Sequence, residues 1–493
     1  MYLLAIKQDE FQYINNNIIA KYLLAILYYK DIILDKITSN NWNTKYVTNK
    51  TTRFENFSKS KRNVIKNKES EVENLEDYDP EELYYLGLKY QYEMGMDKDK
   101  KKALEFYLRS AKRGNYYAQF QLGYCYQFGI GTIKNETQSF EWYLKSAENG
   151  NICAQYQLGH FYQYGIGTVK NEIKSFEWYL KSAKGGNSEA QCNLGKYYHY
   201  GIGTVKNEVR SFEWYLKSAK GGNSNAQYRI GYSYQCGIGT VKNDTQSFEW
   251  YLKSAKGGNV FAQFQLGYSY EYGIGTNKNE VQSFEWYLKL AERGYIYAQI
   301  QLGNCYKNGI GTAKDEKKAF EWYLKSAERR NPAAQYNLAD CYLEGIGIAK
   351  DEKKAFEWYL KSAEGGNSEA QYNLGNCYAK GIGIDKDDVK AFEWYLKSGN
   401  EGNPDAQYQL SCFYENGIGI IKNEAQSFEW CLKSANEENS DAQYKLGYFY
   451  QCGIGIAKDE KKAFKYYLKS ANKGNSDAQY KLGYFYECGI ETV

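Results

Sequence analysis

Histidine, the commonest general acid and base of enzymes, is scarce in this sequence. Its 493 residues include only two histidines, His160 and His199, whose spacing matches no metal-binding motif. Lys and Arg (63) nearly balance Asp and Glu (59), so a formal charge of +4 gives no global field that attracts nucleic acid. No kinase signature and no nucleophile with a base at recognisable spacing is present. We therefore predict no catalytic activity, no metal, no cofactor and no nucleic-acid partner.

Long apolar runs are also missing. The most apolar stretch, residues 18–34, is interrupted by Lys21, Lys30 and Asp31, and its uncharged parts are too short to span a membrane. The first ten residues, MYLLAIKQDE, lack the basic lead and apolar core of a secretory signal. We expect no membrane insertion and a cytoplasmic location. Nuclear import stays open because residues 59–68, KSKRNVIKNK, are basic, although a solvated linker explains them as well.

The eleven cysteines contain no C-x-x-C pair. This absence argues against a zinc knuckle and against a closed disulfide framework. Four of them, Cys125, Cys305, Cys341 and Cys377, recur at intervals that are multiples of 36 residues. We interpret the cysteines as reduced, small packing residues of helices.

Repetition is what the sequence has in abundance. The dipeptide Ala-Gln occurs eleven times at a spacing of 36 residues, from Ala118 to Ala478, without insertion. Each unit is numbered from this alanine, so that Ala118 is repeat position 1. Eleven full units and a half unit then fill residues 82–493, and the first of them, residues 82–117, is divergent. A single unit cannot bury its apolar face, so neighbouring units must stack.

Each unit reads as two helices. In the unit of residues 262–297, apolar side chains follow a helical period in two separate stretches. Gly273 and Gly275 are predicted to end the first helix, and Asn279 to cap the second. Where the next first helix begins, the pattern Ser-x-x-Gln, as in Ser188 and Gln191, predicts a capping box.

In two units the dipeptide Asn-Pro takes over this role, at Asn331-Pro332 and Asn403-Pro404, which places proline in the first helical turn.

The first 81 residues differ from the repeats. We divide the chain into an N-terminal helical segment (1–44), a charged, disordered linker (45–81) and the repeat array (82–493).

The unit Ala-x-x-x-Leu-Gly-x-x-Tyr-x-x-Gly-x-Gly, followed by Lys-Asn/Asp and Ala/Ser-x-x-Trp-Tyr-x-x-x-Ala-x-x-Gly-Asn, resembles the Sel-one-like repeat family, a relative of the tetratricopeptide repeat. The positions characteristic of that family correspond here to Leu266, Gly267, Tyr270, Gly273, Gly275, Trp286, Tyr287 and Ala291. The clearest departures are Met94 and Met96 around a single Gly95, and Cys431 where tyrosine is usual. The resemblance implies an all-α fold, a right-handed superhelical α/α solenoid of 36-residue helix-turn-helix repeats.

Three recurring motifs are interpreted as structural. Gly-Ile-Gly-Thr, as at Gly129, follows a helix rather than a strand, which argues for a turn and against a phosphate-binding loop. The tryptophan column that begins at Trp142 lies beside an apolar stripe, so we predict packing within or between repeats rather than a stacking platform. Loop lysines such as Lys134 stand close to acidic residues such as Glu136, which predicts a compensated, solvated face.

Positions that vary between units are the candidates for reading a partner. Position 7 holds Tyr124, His160, Lys196, Tyr232, Tyr268, Asn304, Asp340, Asn376, Cys412, Tyr448 and Tyr484. Position 11 holds Phe128, Tyr164, Tyr200, Cys236, Tyr272, Asn308, Glu344, Lys380, Asn416, Cys452 and Cys488. The two positions are i, i+4 neighbours on the first helix, and first helices line the concave surface in tetratricopeptide-like solenoids.

The aromatic part of these columns predicts the binding site for a partner protein. Its residues are Tyr124, Phe128, Tyr164, Tyr200, Tyr232, Tyr268 and Tyr272. An extended or helical peptide would dock there, because exposed tyrosines anchor peptides well. The alternative is that these tyrosines pack inside the superhelix and a partner binds elsewhere.

Proteins with this resemblance serve as adaptors and scaffolds, in ubiquitin-ligase complexes, in the regulation of chitin synthase and in signalling. We therefore expect a protein-interaction scaffold that assembles signalling, ubiquitin-ligase or membrane-enzyme complexes through a concave groove. The alternative is a regulatory region of a longer enzyme, such as a kinase, whose catalytic domain lies on a further stretch of chain.

Overall fold

The computed structural model describes residues 78–92 and 99–487. The predicted helical segment 1–44, nearly all of the predicted linker, the departures at Met94, Gly95 and Met96, and Cys488 lie outside the described residues. Within those two ranges all regular structure is α-helical, with 23 helices and no strand. The prediction of an all-α helical solenoid is confirmed.

Two helices alternate along each unit. The first helices are α1 (Pro80–Tyr92), α3 (Tyr116–Phe128), α5 (Ile152–Tyr164), α7 (Ser188–Tyr200), α9 (Ser224–Cys236), α11 (Val260–Tyr272), α13 (Ile296–Asn308), α15 (Pro332–Glu344), α17 (Ser368–Lys380), α19 (Pro404–Asn416), α21 (Ser440–Cys452) and α23 (Ser476–Glu487). The second helices are α2 (Lys100–Lys112), α4 (Glu136–Glu148), α6 (Glu172–Lys184), α8 (Glu208–Lys220), α10 (Asp244–Lys256), α12 (Glu280–Glu292), α14 (Glu316–Ala327), α16 (Glu352–Glu364), α18 (Asp388–Asn400), α20 (Glu424–Asn436) and α22 (Glu460–Asn472).

The chain divides into two compact units. Of the described residues, those up to Ala154 together with Ile166–Thr168 form the N-terminal unit, and Gln155–Gly165 with those from Val169 onward form the C-terminal unit. Within the C-terminal unit, from α7 onward, each first helix packs against the second helix of its own repeat, and that second helix packs against the first helix of the next repeat.

The array begins slightly earlier than predicted. α1 starts at Pro80, so Pro80 and Glu81 belong to the first helix and not to the linker. A reciprocal capping box fixes this start: Asp79 Oδ1 accepts from the Glu82 N–H at 2.8 Å, and Glu82 Oε2 accepts from the Asp79 N–H at 3.0 Å. Two backbone donors at the helix start are thereby satisfied.

The glycine-rich turn has the predicted geometry. Gly273 ends α11 with φ 70°, and its N–H donates to the Ser269 carbonyl. At Gly275, φ is +68° and a Cβ would lie 2.0 Å from the Asp244 carbonyl oxygen in the preceding repeat. Only glycine allows this close approach. Asn279 caps α12 by accepting from the Gln282 N–H at 3.1 Å, as predicted.

The predicted Ser-x-x-Gln capping box is wrong. Asn187, one residue earlier, is the cap of α7, and its side chain accepts from the Ala190 N–H at 2.8 Å. Ser188 is the first helical residue, and the Gln191 amide donates instead to the Ala183 carbonyl of α6 at 3.1 Å. The glutamine therefore ties α7 to the preceding repeat, and the same bond recurs at Gln227, Gln263 and Gln299. The Asn-Pro prediction is confirmed, because Asn331 caps α15 with proline in its first turn.

Buried serines attach the second helix to the first helix of the same unit. Ser211 donates to the Gly195 carbonyl at 2.7 Å, and Ser218 donates to the Ser188 carbonyl at 2.6 Å. Both serine side chains are almost fully buried. Because a buried hydroxyl without a partner is costly, these bonds fix the pairing of the two helices at both ends.

The tryptophan column packs between repeats, as predicted. Trp214 of α8 packs against the buried cluster that contains Tyr179 of the preceding unit and Leu194 of its own unit. Lys217 also contacts this ring, with its Nζ 4.3 Å from the ring centroid. Because the Trp214 ring is half-buried in these contacts, packing rather than stacking on bases or sugars explains its place in the fold.

Candidate partner-binding surface

The predicted aromatic residues differ in exposure according to their repeat position. At position 11 the rings face solvent: within the C-terminal unit Tyr164 is 42%, Tyr200 44% and Tyr272 57% exposed. Phe128, in the N-terminal unit, is 50% exposed. The position 7 residues Tyr124, Tyr232 and Tyr268 are half-buried. Among these seven residues, position 11 is thus the outer column and position 7 the inner one, whereas in the last repeats position 7 is exposed as well, at Tyr448 (39%) and Tyr484 (51%).

The inner rings support the outer ones. Tyr268 and Tyr272 have centroids 4.6 Å apart, and His160 and Tyr164 have centroids 4.7 Å apart. Tyr124 and Phe128 form the corresponding pair in the N-terminal unit, at 4.7 Å. These are the i, i+4 contacts expected of one helical face. An outer ring held this way loses less side-chain entropy when a partner covers it.

Tyr272 keeps its proton over the physiological pH range. Burial, followed by the charge of the neighbouring Glu271 carboxylate, raises the pKa of Tyr272 to about 12. Burial likewise raises the pKa of Tyr232. Both phenol groups therefore stay protonated at neutral pH.

A column of buried tyrosines at position 26 explains much of the variation on the first helix. These side chains lie beneath the first helix, and their hydroxyls need an acceptor. In several repeats of the C-terminal unit that acceptor stands at position 10. The pairs are Tyr179 with Gln163 (2.9 Å), Tyr251 with Gln235 (2.7 Å), Tyr287 with Glu271 (3.0 Å) and Tyr467 with Gln451 (2.8 Å).

In three consecutive repeats the acceptor stands at position 7 instead. The pairs are Tyr323 with Asn304 (2.6 Å), Tyr359 with Asp340 (2.6 Å) and Tyr395 with Asn376 (2.8 Å). Position 10 of these repeats holds Lys307, Leu343 and Ala379, none of which offers a side-chain acceptor. Positions 7 and 10 therefore change together to satisfy one buried hydroxyl.

This finding corrects the interpretation of the polar residues at position 7. Asn304, Asp340 and Asn376 are acceptors inside the fold, not groups set aside for a partner. Position 11 keeps its exposed polar residues in the same repeats, at Asn308 and Glu344 among others. Position 10 was not recognised from the sequence, although its coordinated change with position 7 is visible there.

Charges on the loop edge are paired, as predicted. Lys170 Nζ lies 2.9 Å from Glu172 Oε1, and Lys206 Nζ lies 2.9 Å from Glu208 Oε1. Such exposed pairs contribute little to stability, but they neutralise the edge.

The cysteines Cys125, Cys305, Cys341 and Cys377 are buried in helix packing, in agreement with their interpretation as small packing residues. Over residues 78–92 and 99–487, no cluster of metal-ligating side chains occurs.

Comparison with known proteins identifies the repeat. The family model described as Sel1 repeat matches twelve consecutive segments, the first at residues 83–115 and the last at residues 476–493. The chain belongs to the Sel1 repeat family. This is the Sel-one-like family indicated by the sequence motif, and its members are generally non-catalytic scaffolds that bind other proteins.

Solved Sel1 repeat structures resemble the chain over most of their length. The protective antigen c5321 of uropathogenic Escherichia coli, described as displaying an SLR fold, is 33% identical, with a TM-score of 0.71 over 86% of this chain and 90% of that one. A Sel1 repeat protein from Oxalobacter formigenes is 28% identical, with a TM-score of 0.53 over 64% of this chain and 92% of that one. Among curated proteins no match was found.

The helices themselves are short. Each described helix has 12 or 13 residues, and none in the ranges 78–92 and 99–487 is long and apolar enough to cross a membrane.

Proposed function

We propose that this Sel1 repeat protein is a cytoplasmic adaptor that docks a peptide segment of a partner protein on the position 11 column of its C-terminal unit. The observation that supports the proposal is the outward placement of Tyr164, Tyr200 and Tyr272, each with more than two fifths of its surface in solvent. Tyrosine at position 9 behaves differently, since Tyr162 and Tyr198 are 8% and 7% exposed. Exposed rings on the neighbouring helices α5 and α7, and again on α11 beyond the Cys236 of α9, suit anchors for a bound peptide.

The chemistry of the column favours a partner segment with apolar side chains and backbone acceptors. The ring faces offer apolar area, and the protonated phenol of Tyr272 would exchange its hydrogen bond with Glu271 for one to an acceptor on the partner. Position 11 becomes polar after Tyr272, with Asn308 and then the acidic Glu344. A segment that begins apolar and ends polar matches this order. Adaptors of this kind would bring together components of signalling, ubiquitin-ligase or membrane-enzyme complexes.

The test replaces Tyr164, Tyr200, Tyr268 and Tyr272 with alanine in the full chain. Partners are identified by proximity labelling of the unaltered protein, and their segments are synthesised for direct binding measurements. Aromatic anchors at interfaces contribute about 2 kcal/mol or more each, or roughly 30-fold in affinity. We expect the variant to lose the partner segments while its far-UV circular dichroism stays helical.

A matched control uses exposed apolar residues away from the column. Val169, Val205 and Val241 lie on the loops and are each 83% exposed, so replacing them with serine removes apolar area without touching the tyrosines. This control variant should bind as tightly as the unaltered chain. An unchanged partner set for the tyrosine variant, with helicity retained, would show that partners bind elsewhere.

A further inference from the structure

The repeat of residues 406–441 departs from the others at the buried position 26. Cys431 stands there in place of tyrosine and is completely buried. Position 6, where glycine usually makes room for the tyrosine ring, holds Ser411, which shares a 3.1 Å hydrogen bond with Ser427. A smaller side chain on the second helix thus accompanies a larger one on the first. The usual tyrosine hydroxyl is missing beside Glu415, the position 10 residue of this repeat.

A lysine from the next repeat meets this acceptor. Lys445 of α21 places its Nζ 2.7 Å from Glu415 Oε2, with side-chain exposures of only 11% and 26%. The loop ion pairs are far more open: in the pair of Lys170 and Glu172, the lysine side chain is 61% exposed. The aromatic rings of Tyr408 and Phe449 lie 5.4 and 5.5 Å from the same Nζ.

The same lysine contacts a thiol. Its Nζ lies 3.1 Å from Sγ of Cys412, the position 7 residue of α19. A thiol, an amine and a carboxylate therefore meet between two consecutive first helices, partly shielded from water. Cys412 keeps partial exposure, so small oxidants reach it.

We propose that Cys412 and Lys445 form a redox modification site, at which dioxygen links the thiol sulfur to the amine nitrogen through one bridging oxygen atom. The overall change is thiol plus neutral amine plus dioxygen, giving the S–O–N(H) bridge and one water. Sulfur and nitrogen each lose two electrons, and the two oxygen atoms accept those four. The thiol hydrogen and one amine hydrogen leave in the water.

Glu415 is the positioning residue and proton acceptor of this site. Its carboxylate holds the ammonium against the thiol and takes the proton that Lys445 must lose before its nitrogen can react. Burial lowers the pKa of Lys445, but the Cys412 thiol and the Glu415 carboxylate raise it, and the net direction is upward. Bridge formation is therefore expected to be slow at neutral pH and faster in mildly alkaline solution.

The bridge would join α19 and α21 covalently. Each Sel1 repeat otherwise holds its neighbour through packing and hydrogen bonds, so local opening separates consecutive repeats. A covalent link between two first helices restricts that opening, and thiol reductants reverse it.

The test compares full-length protein kept under air with the same protein kept under nitrogen. After digestion, mass spectrometry should detect one cross-linked peptide pair joining Cys412 to Lys445, with one oxygen gained and two hydrogens lost, only in the aerated sample. A thiol reductant should remove the link. Cys452→Ser, which deletes an exposed thiol elsewhere, should leave the link intact.

Substitutions at the site separate the bridge from other oxidation products. Cys412→Ser and Lys445→Arg should abolish it, and the arginine keeps a positive charge opposite the carboxylate. Glu415→Gln should slow its formation by about tenfold or more. A link without the added oxygen, a Cys412–Cys431 disulfide, a sulfinic acid at Cys412 without a link, or identical spectra under air and nitrogen would each overturn the proposal.

Discussion

The exchange of acceptors between positions 7 and 10 predicts that one position can replace the other. Tyr395 is 2% exposed, and its hydroxyl donates to Asn376 Oδ1 at 2.8 Å, while position 10 of that repeat is Ala379. Asn376→Ala removes the acceptor. Ala379→Gln then supplies a new one at the position that Gln235 occupies when it accepts from Tyr251 at 2.7 Å. The single variant should be destabilised, and the double variant should recover.

The expected magnitude follows from the burial of the hydroxyl. Leaving a buried donor without a partner costs about 1–3 kcal/mol. Alanine has a higher helix propensity than asparagine, which offsets roughly 0.5 kcal/mol of that loss. The variant Tyr395→Phe removes the donor, so Asn376→Ala in the phenylalanine background measures the propensity change alone. The difference between the two backgrounds isolates the hydrogen bond.

Hydrogen exchange of the α18 amides is the appropriate measurement, because repeat arrays open locally rather than in one global transition. About 1.4 kcal/mol corresponds to a tenfold change in an equilibrium constant, so a net loss of about 0.5–2.5 kcal/mol predicts exchange roughly 2- to 60-fold faster in α18 of the Asn376→Ala protein. The Ala379→Gln change should return most of this protection. Equal exchange in all variants, or a double variant as labile as the single one, would refute the pairing of these positions.

Three further predictions concern the fold. Asn187→Ala should lower the local stability of α7 by about 1 kcal/mol, measured by hydrogen exchange, whereas Ser188→Ala should change it by less than about 0.5 kcal/mol, because the asparagine is the cap. Gly275→Ala should disrupt its turn because the new Cβ would meet a backbone carbonyl, while Gly222→Ala, with φ +84° and open space, should cost only about 1–2 kcal/mol on the same measure. Burial raises the pKa of Asp340, so the folded state binds more protons than the unfolded state between the two pKa values, and the carboxylate reduces stability as pH rises through that window. Denaturation at several pH values should therefore show Asp340→Asn more stable than the unaltered chain at neutral pH, with the advantage shrinking in acid.

Local features of the repeat were predictable because their causes lie within a few residues. The turn at Gly273 and the cap at Asn279 depend on backbone conformations that glycine and asparagine favour. The capping box at Ser188 failed for a local reason too: asparagine stands one residue earlier and satisfies the same orphan donors. The spacing Ser-x-x-Gln had a different origin, since Gln191 is needed by a carbonyl of the preceding repeat.

The candidate site was only partly predictable. Tyr164, Tyr200 and Tyr272 at position 11 are exposed, and that a partner binds them stays a prediction, whereas some residues at position 7 vary because they serve the fold. Variation at Asn304 or Asp340 has the appearance of partner recognition in the sequence, but the structure shows each as the acceptor of a buried tyrosine. Comparing the units at one repeat position at a time does not reveal the exchange of acceptors between positions 7 and 10, because the compensating residue lies three positions further along the same helix.

The sequence by itself determined the repeat length, the register of its units, the alternation of two helices and the Sel1 family, because these follow from periodicity and from residues with strong local preferences. Only the tertiary structure decided which variable residues serve the fold and which face solvent. A buried hydroxyl or ammonium takes whichever acceptor the packing brings to it, whether Asn376 below Tyr395 or Glu415 beside Lys445. These partners lie 19 and 30 residues apart in the chain. At that separation, local backbone preferences do not determine which side chains come into contact.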